Sequence, residues 1–131
     1  MTILTWSLLA ATLLVYLSKV PMNYLTLKQE KFDNNQPRLQ QLTLTGIGHR
    51  AWAAHQNTIE AYPMFVAGIL IAHTTGSDLF WSGFFAIGFL ITRVLFIILY
   101  LADLAFLRSF SCGIGYLAIL GLMLSPLIPA S

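Results

Sequence analysis

The sequence predicts an all-α membrane protein, a bundle of four transmembrane helices, and three observations carry that prediction. Only 9% of the 131 residues are charged, while 57% are hydrophobic. A soluble domain carries about 25% charged residues, so this chain cannot cover a water-exposed surface. The apolar residues fall in four long runs, and a mean hydropathy of +0.75 points to lipid as the solvent. Those runs are continuous instead of alternating every second residue, which disfavours a β-barrel. The length allows one domain. A net charge of +2 without a clustered basic face argues against nucleic-acid binding. The single cysteine, Cys112, excludes an intrachain disulfide and a multi-cysteine metal site.

Crossing the hydrocarbon core takes about 20 mostly apolar residues as a helix. The first span is expected at about 3–20, with no charge before Lys19 and a break at Pro21. It lacks a basic start and a small-residue cleavage site, so it reads as a retained helix, not a removed signal. A polar loop, Met22 to Ile47, follows and reads as a solvated surface. The second span is expected at about 48–73 and the third at about 79–101, separated by Thr74–Asp78. The fourth is expected at about 110–128, after a break around Asp103–Arg108. Lys19, Lys28, Lys31, Arg38 and Arg50 flank the first loop, and Arg108 lies in the third. Basic loops stay cytoplasmic, so the first and third loops are predicted on that side. Gly83, Gly88, Gly113 and Gly121 are expected to let helices approach closely. Trp6, Trp52 and Trp81 lie near span ends and suit interface anchoring.

Ionisable groups at membrane depth are costly and face a protein interior or a wet cavity. At 3.6 residues per turn, Arg50, Asn57 and Glu60 share one stripe of the second span. Arg93 and Tyr100 share a stripe of the third, with Phe96 between them. Asn57 and Arg93 each lie about 12–14 Å from the same membrane edge. Arg93 can therefore meet Asn57 and Glu60, with Arg108 at the mouth of the same cavity. Pro63 removes a backbone donor beside this level. A structural network, with Glu60 neutralising Arg93, accounts for these residues about as well as a site does. The surplus of Arg50, Arg93 and Arg108 over Glu60 suits a ligand bearing carboxylates, unless Asp103 pairs with Arg108. His49, His55 and His73 do not form a metal set. Cys112 reads as a small buried residue, and Tyr116 as either cleft lining or packing.

The segment from Arg50 to Pro63, with its core Ala-His-Gln-Asn-Thr-Ile-Glu-Ala-Tyr-Pro, resembles the second-helix signature of the MAPEG superfamily, the membrane-associated proteins in eicosanoid and glutathione metabolism. Arg93, Tyr100 and Arg108-Ser109 fit a second block of that family, and the likeness covers essentially the whole chain. The resemblance implies a homotrimer of four-helix subunits that binds glutathione between neighbours and activates its thiol. It implies polar contacts from Asn57 and Glu60, and capture of the carboxylates and backbone by Arg50, Arg93 and Tyr100. It implies catalytic roles for Arg108 and Tyr100 near the sulfur, and a basic group at Lys19 by position alone. The expected partners are the lipid bilayer, glutathione as co-substrate, an apolar electrophile and further copies of the chain. Gln56, Ala61 and Phe96 depart from the eicosanoid-forming members, so eicosanoid synthesis is not expected. Two further readings stay open: a non-catalytic lipid-binding or scaffold protein of the same fold, and a small transporter, for which no internal repeat is visible. Short loops and no targeting segment suit a bacterial plasma membrane.

Overall fold

A computed structural model describes residues 1–129, and within them the regular structure is entirely helical. The long helices are α1 (Ile3–Leu27), α3 (Ile47–Thr74), α4 (Leu79–Leu101) and α5 (Ala105–Leu124), and a short α2 (Pro37–Leu42) lies between α1 and α3. A 3₁₀ turn, Ser125–Leu127, extends α5. Helices α4 and α5 form one antiparallel pair, α1 and α3 the other, and the pairs pack together as a bundle. Three segments are long and apolar enough to cross a membrane: Ile3–Leu27, Leu79–Leu101 and Ala105–Leu127. Their outer faces carry exposed Leu13, Leu17, Phe84, Ile91, Phe110 and Leu117, which suits lipid contact. Helix α3 is the longest, at 28 residues, but its first half is too polar to join them.

Each long helix has a local cause. The Asp78 carboxylate caps α4, accepting from the backbone N–H groups of Phe80 and Trp81 at 3.0 and 3.2 Å. Helix α3 buries Ala51, Ala54, Ala61, Phe65, Ile69 and Ala72 on one side. Phe65 stacks on Phe89 of α4 with ring centroids 4.4 Å apart. Ile119 and Leu122 of α5 and Leu4 of α1 complete this core.

The structure corrects three features of the expected layout. Helix α1 does not stop at Pro21 but runs through it to Leu27. A proline inside a helix costs one backbone hydrogen bond. Burial of Met22 against Leu44 and Ala51 holds the helix together beyond it. The first loop is not wholly irregular, because Pro37 opens α2 at a position where its missing N–H costs nothing. Helix α5 starts at Ala105, five residues before the expected 110. Asp103 takes a left-handed turn (φ 61°), and Leu104 N–H donates to the Leu99 carbonyl at 3.0 Å. That three-residue turn lets α5 begin at once, so Arg108 sits in a helix and not in a loop.

The four glycines expected to mediate packing divide into two groups. A Cβ on Gly121 would collide with the Phe85 ring, and one on Gly83 would crowd Ile3 at 3.1 Å. A Cβ on Gly88 or Gly113 would meet nothing within 4 Å among the described residues, so those two do not serve close approach within the subunit. Gly121→Ala is expected to destabilise the protein by about 1–3 kcal/mol, the usual cost of overpacking. Gly88→Ala is expected to be neutral or stabilising by up to about 1 kcal/mol, through helix propensity. Thermal unfolding of the two variants in detergent checks the contrast.

Candidate functional site

The site starts from one buried guanidinium. Arg93 of α4 is only 2% exposed. Its Nη1 donates to Asn57 Oδ1 of α3 at 2.6 Å. Its Cζ lies 4.7 Å from the Phe96 ring centroid and 5.5 Å from that of Phe89, so aromatic faces supply part of the missing solvation. Nε and Nη2 are buried without a hydrogen-bond partner among the described residues. A cation left this incompletely satisfied is unfavourable for stability.

Beside it, α3, α4 and α5 enclose an open cavity of about 440 Å³. Asn57, Phe96, Tyr100, Arg108, Cys112 and Tyr116 line it. The Arg108 Cζ sits 4.1 Å from the Tyr100 ring centroid, and Phe96 meets Tyr100 edge-on at 5.4 Å. The helix places Arg108, Cys112 and Tyr116 at successive intervals of four residues, on one face of α5. Arg108 has no carboxylate partner among the described residues, where the ion pair is Arg50 Nη1 to Asp103 Oδ2 at 3.9 Å. The pairing of Asp103 with Arg108, left open by the sequence, is therefore replaced by one with Arg50.

The other expected site residues lie elsewhere. Glu60 is exposed on the outside of α3 and makes no ion pair with Arg93 within the chain. One turn beyond Asn57, it has rotated toward the face of Ile59 and Met64, which are exposed as well. Arg50 is held at the end of the bundle by Asp103 and does not line the cavity. Sequence reasoning undervalued Cys112. It is partly exposed, lines the cavity, and its Sγ lies 3.9 Å from Asn57 Oδ1. Its spacing of four from Arg108 was the signal available.

A second polar surface lies across α3. Lys19, Trp52, His55 and Gln56 line a cavity of about 400 Å³ there. His55 is 6% exposed and its Nδ1 lies 2.8 Å from Ser18 Oγ. The Ser18 hydroxyl donates to the Val15 carbonyl at 2.7 Å. With that proton directed to Val15, the Ser18 oxygen is placed to accept from His55 Nδ1–H. In the sequence His55 entered only as one of three histidines that form no metal set.

Apolar helices around a polar, arginine-bearing cavity define a helical membrane protein with a cavity between its helices. The chain belongs to the MAPEG family, whose model matches residues 3–128. That family groups membrane proteins of glutathione and eicosanoid metabolism. No individual curated protein and no solved structure matches the chain significantly.

Proposed function

We propose that the protein is a glutathione-dependent membrane transferase or peroxidase that acts on apolar electrophiles. The observation that carries this reading is Arg108, stacked on Tyr100 in the cavity and free of any carboxylate among the described residues. A thiol with pKa about 8.5 is only partly ionised at neutral pH. A neighbouring guanidinium and a phenol hydroxyl stabilise the thiolate, the reactive form. In the transferase reaction the thiolate attacks the electrophilic carbon, a C–S bond forms, and the leaving group departs with the bonding electrons. Arg93 and Asn57 orient the peptide, while Arg50 and Glu60 add polar contacts once a neighbouring subunit or ligand completes the cleft. The apolar substrate enters from the bilayer.

The reading includes a homotrimer in which α3 crosses the membrane as the fourth span. Two polar cavities on opposite faces of α3 suit head-to-tail contact, where one face of each subunit meets the other face of the next. Lys19 and His55 of one subunit would then face the Arg108 cavity of its neighbour. Shielding between subunits would also explain how a helix as polar as α3 tolerates membrane depth. Lys28, Lys31 and Arg38 of the first loop, with Arg108 in the first turn of α5, favour the cytoplasmic side for that end of the bundle, and a bacterial plasma membrane suits the chain. Calorimetric titration of detergent-purified protein is expected to give saturable glutathione binding in the millimolar range or tighter. Absence of binding at millimolar glutathione would overturn the proposal. The second reading, a non-catalytic lipid-binding or scaffold protein, is favoured by apolar Ala61 and by Phe96, whose ring is already engaged by Arg93.

A further inference from the structure

A third cavity, of about 330 Å³, opens where the end of α1 meets α2. Lys19, Asn23, Thr26, Asn34, Arg38 and Gln41 contribute its polar lining, where Gln41 Nε2 donates weakly to Asn23 Oδ1 at 3.5 Å, and no carboxylate lines it. Lys19 and Arg38 have no acidic partner among the described residues. The loop acids are directed elsewhere or lie outside the lining: Asp33 Oδ1 accepts from Asn35 N–H at 2.8 Å, and Glu30 is exposed. Two cations beside three carboxamides therefore converge on an opening with nothing to neutralise them. Such a lining matches a phosphate ester, which takes charge-assisted hydrogen bonds from cations and neutral ones from amides.

The depth of the opening identifies the source of that phosphate. Lys19 is 16 residues beyond the start of α1, which is about 24 Å along the axis, close to one edge of a hydrocarbon core about 30 Å thick. Below it α1 exposes Leu13, Tyr16 and Leu17. Beside it α2 exposes Leu39 and Leu42, each by more than half. Leucines exposed on a short helix at this level fit acyl chains, whereas a free anion in water would gain nothing from them. Hydrogen bonds hold α2 in this position: Gln29 Nε2 donates to Thr43 Oγ1 at 3.2 Å, and Gln40 Oε1 accepts from Asp33 N–H at 2.8 Å.

We propose that this cavity binds the phosphate of an anionic phospholipid headgroup, with Lys19 and Arg38 as its cations and the lipid chains lying along α1 and α2. The opening shares Lys19, Arg38 and Gln41 with the cavity beside His55 that the trimer reading turns toward a neighbour, but it holds neither Tyr100 nor Arg108, and the proposal does not depend on glutathione chemistry. Basic pockets at the ends of membrane helices recognise such headgroups, at about 1 kcal/mol per cation, or roughly fivefold in affinity.

The test is native mass spectrometry of the detergent-purified full chain, equilibrated with phosphatidylglycerol or phosphatidylcholine. Phosphatidylglycerol should be retained preferentially. Arg38→Gln and Lys19→Gln should each reduce that preference about fivefold. Arg108→Gln, which removes a cation from the other cavity, should leave it intact. Circular dichroism of each variant verifies that the helices are retained, and Arg38→Lys, which keeps the charge if the glutamine variant misfolds, should restore most of the preference. Equal retention of the two lipids would overturn the proposal, as would equal loss of preference in Arg108→Gln. Displacement of the lipid by millimolar inorganic phosphate would assign the cavity to a free anion and overturn it too.

Discussion

Replacing Arg93 with methionine is expected to stabilise the ligand-free protein and to abolish most of its affinity for glutathione. The two effects have one cause. Arg93 is almost completely buried, yet it makes one hydrogen bond and leaves Nε and Nη2 without partners. Methionine fills a similar volume and needs none of them. Replacing a buried, poorly compensated charge by an apolar side chain is commonly neutral or stabilising, here by about 1–2 kcal/mol. Two losses oppose the gain. The contacts with Phe89 and Phe96 are worth about 0.5–2 kcal/mol, and Asn57 Oδ1 loses its donor. Asn57 lines an open cavity, however, so water can take the donor's place. The ligand-bound state behaves oppositely. A hydrogen bond to a charged group contributes about 1.5–3 kcal/mol, so its loss should weaken glutathione binding by at least about tenfold. The measurement pairs thermal unfolding without ligand with calorimetric titration. Unchanged affinity in a folded variant would make Arg93 a structural cation alone.

That opposition of stability and binding separates the two accounts between which the sequence could not choose. A structural network predicts that Arg93 is satisfied within the chain and that its removal destabilises. Asn57 and Arg93 were legible because helical periodicity and depth are properties of sequence alone, and the two residues do meet. Glu60 was not legible in the same way. Its stripe assignment was sound to within one turn, but at that resolution the difference between the cavity face and the outer face of α3 depends on how α3 is rotated against α4. Packing decides that rotation, and no single helix encodes it. Arg50 illustrates the same limit, since its partner Asp103 is positioned by a left-handed turn that joins α4 to α5.

Boundaries were lost for a related reason. The apolar run after Asp78 coincides with α4 because a capping carboxylate marks its start. Pro21 is a stop signal only where nothing holds the following turn, and Met22 and Thr26 are buried against the bundle. Arg108 made the start of α5 look like a loop, because a charge beside an apolar run usually lies outside the membrane. Here the charge belongs to the helix and points to the cavity. The contact of Ser18 with His55 joins residues 37 positions apart and has no local signature.

Arg108→Gln is expected to lower the rate of conjugation of a model aryl halide by about 100- to 1,000-fold, the usual effect of removing one preorganised group that stabilises developing or resident negative charge. Glutamine keeps the length and some polarity of the side chain, so packing on Tyr100 is only partly lost. The cation is what disappears. Glutathione affinity should change far less than the rate, because Asn57 and Arg93 remain. The variant should also shift in its pH dependence. A neighbouring cation favours the thiolate and lowers the pKa of a bound thiol, so its removal raises that pKa. Below the raised pKa the thiolate fraction grows about tenfold per pH unit. The residual rate should therefore keep rising with pH across a range where the wild type has levelled off. Alkaline rescue would distinguish thiolate stabilisation from a general loss of structure, which high pH cannot repair. The non-catalytic reading predicts no conjugation by the wild-type protein and hence no rate for Arg108→Gln to lose. Tyr100→Phe extends the test. If the phenol hydroxyl donates to the sulfur, this variant should add to the upward pKa shift. If Tyr100 serves only as the surface on which the guanidinium rests, phenylalanine should replace it with little change in rate, since the ring face is retained.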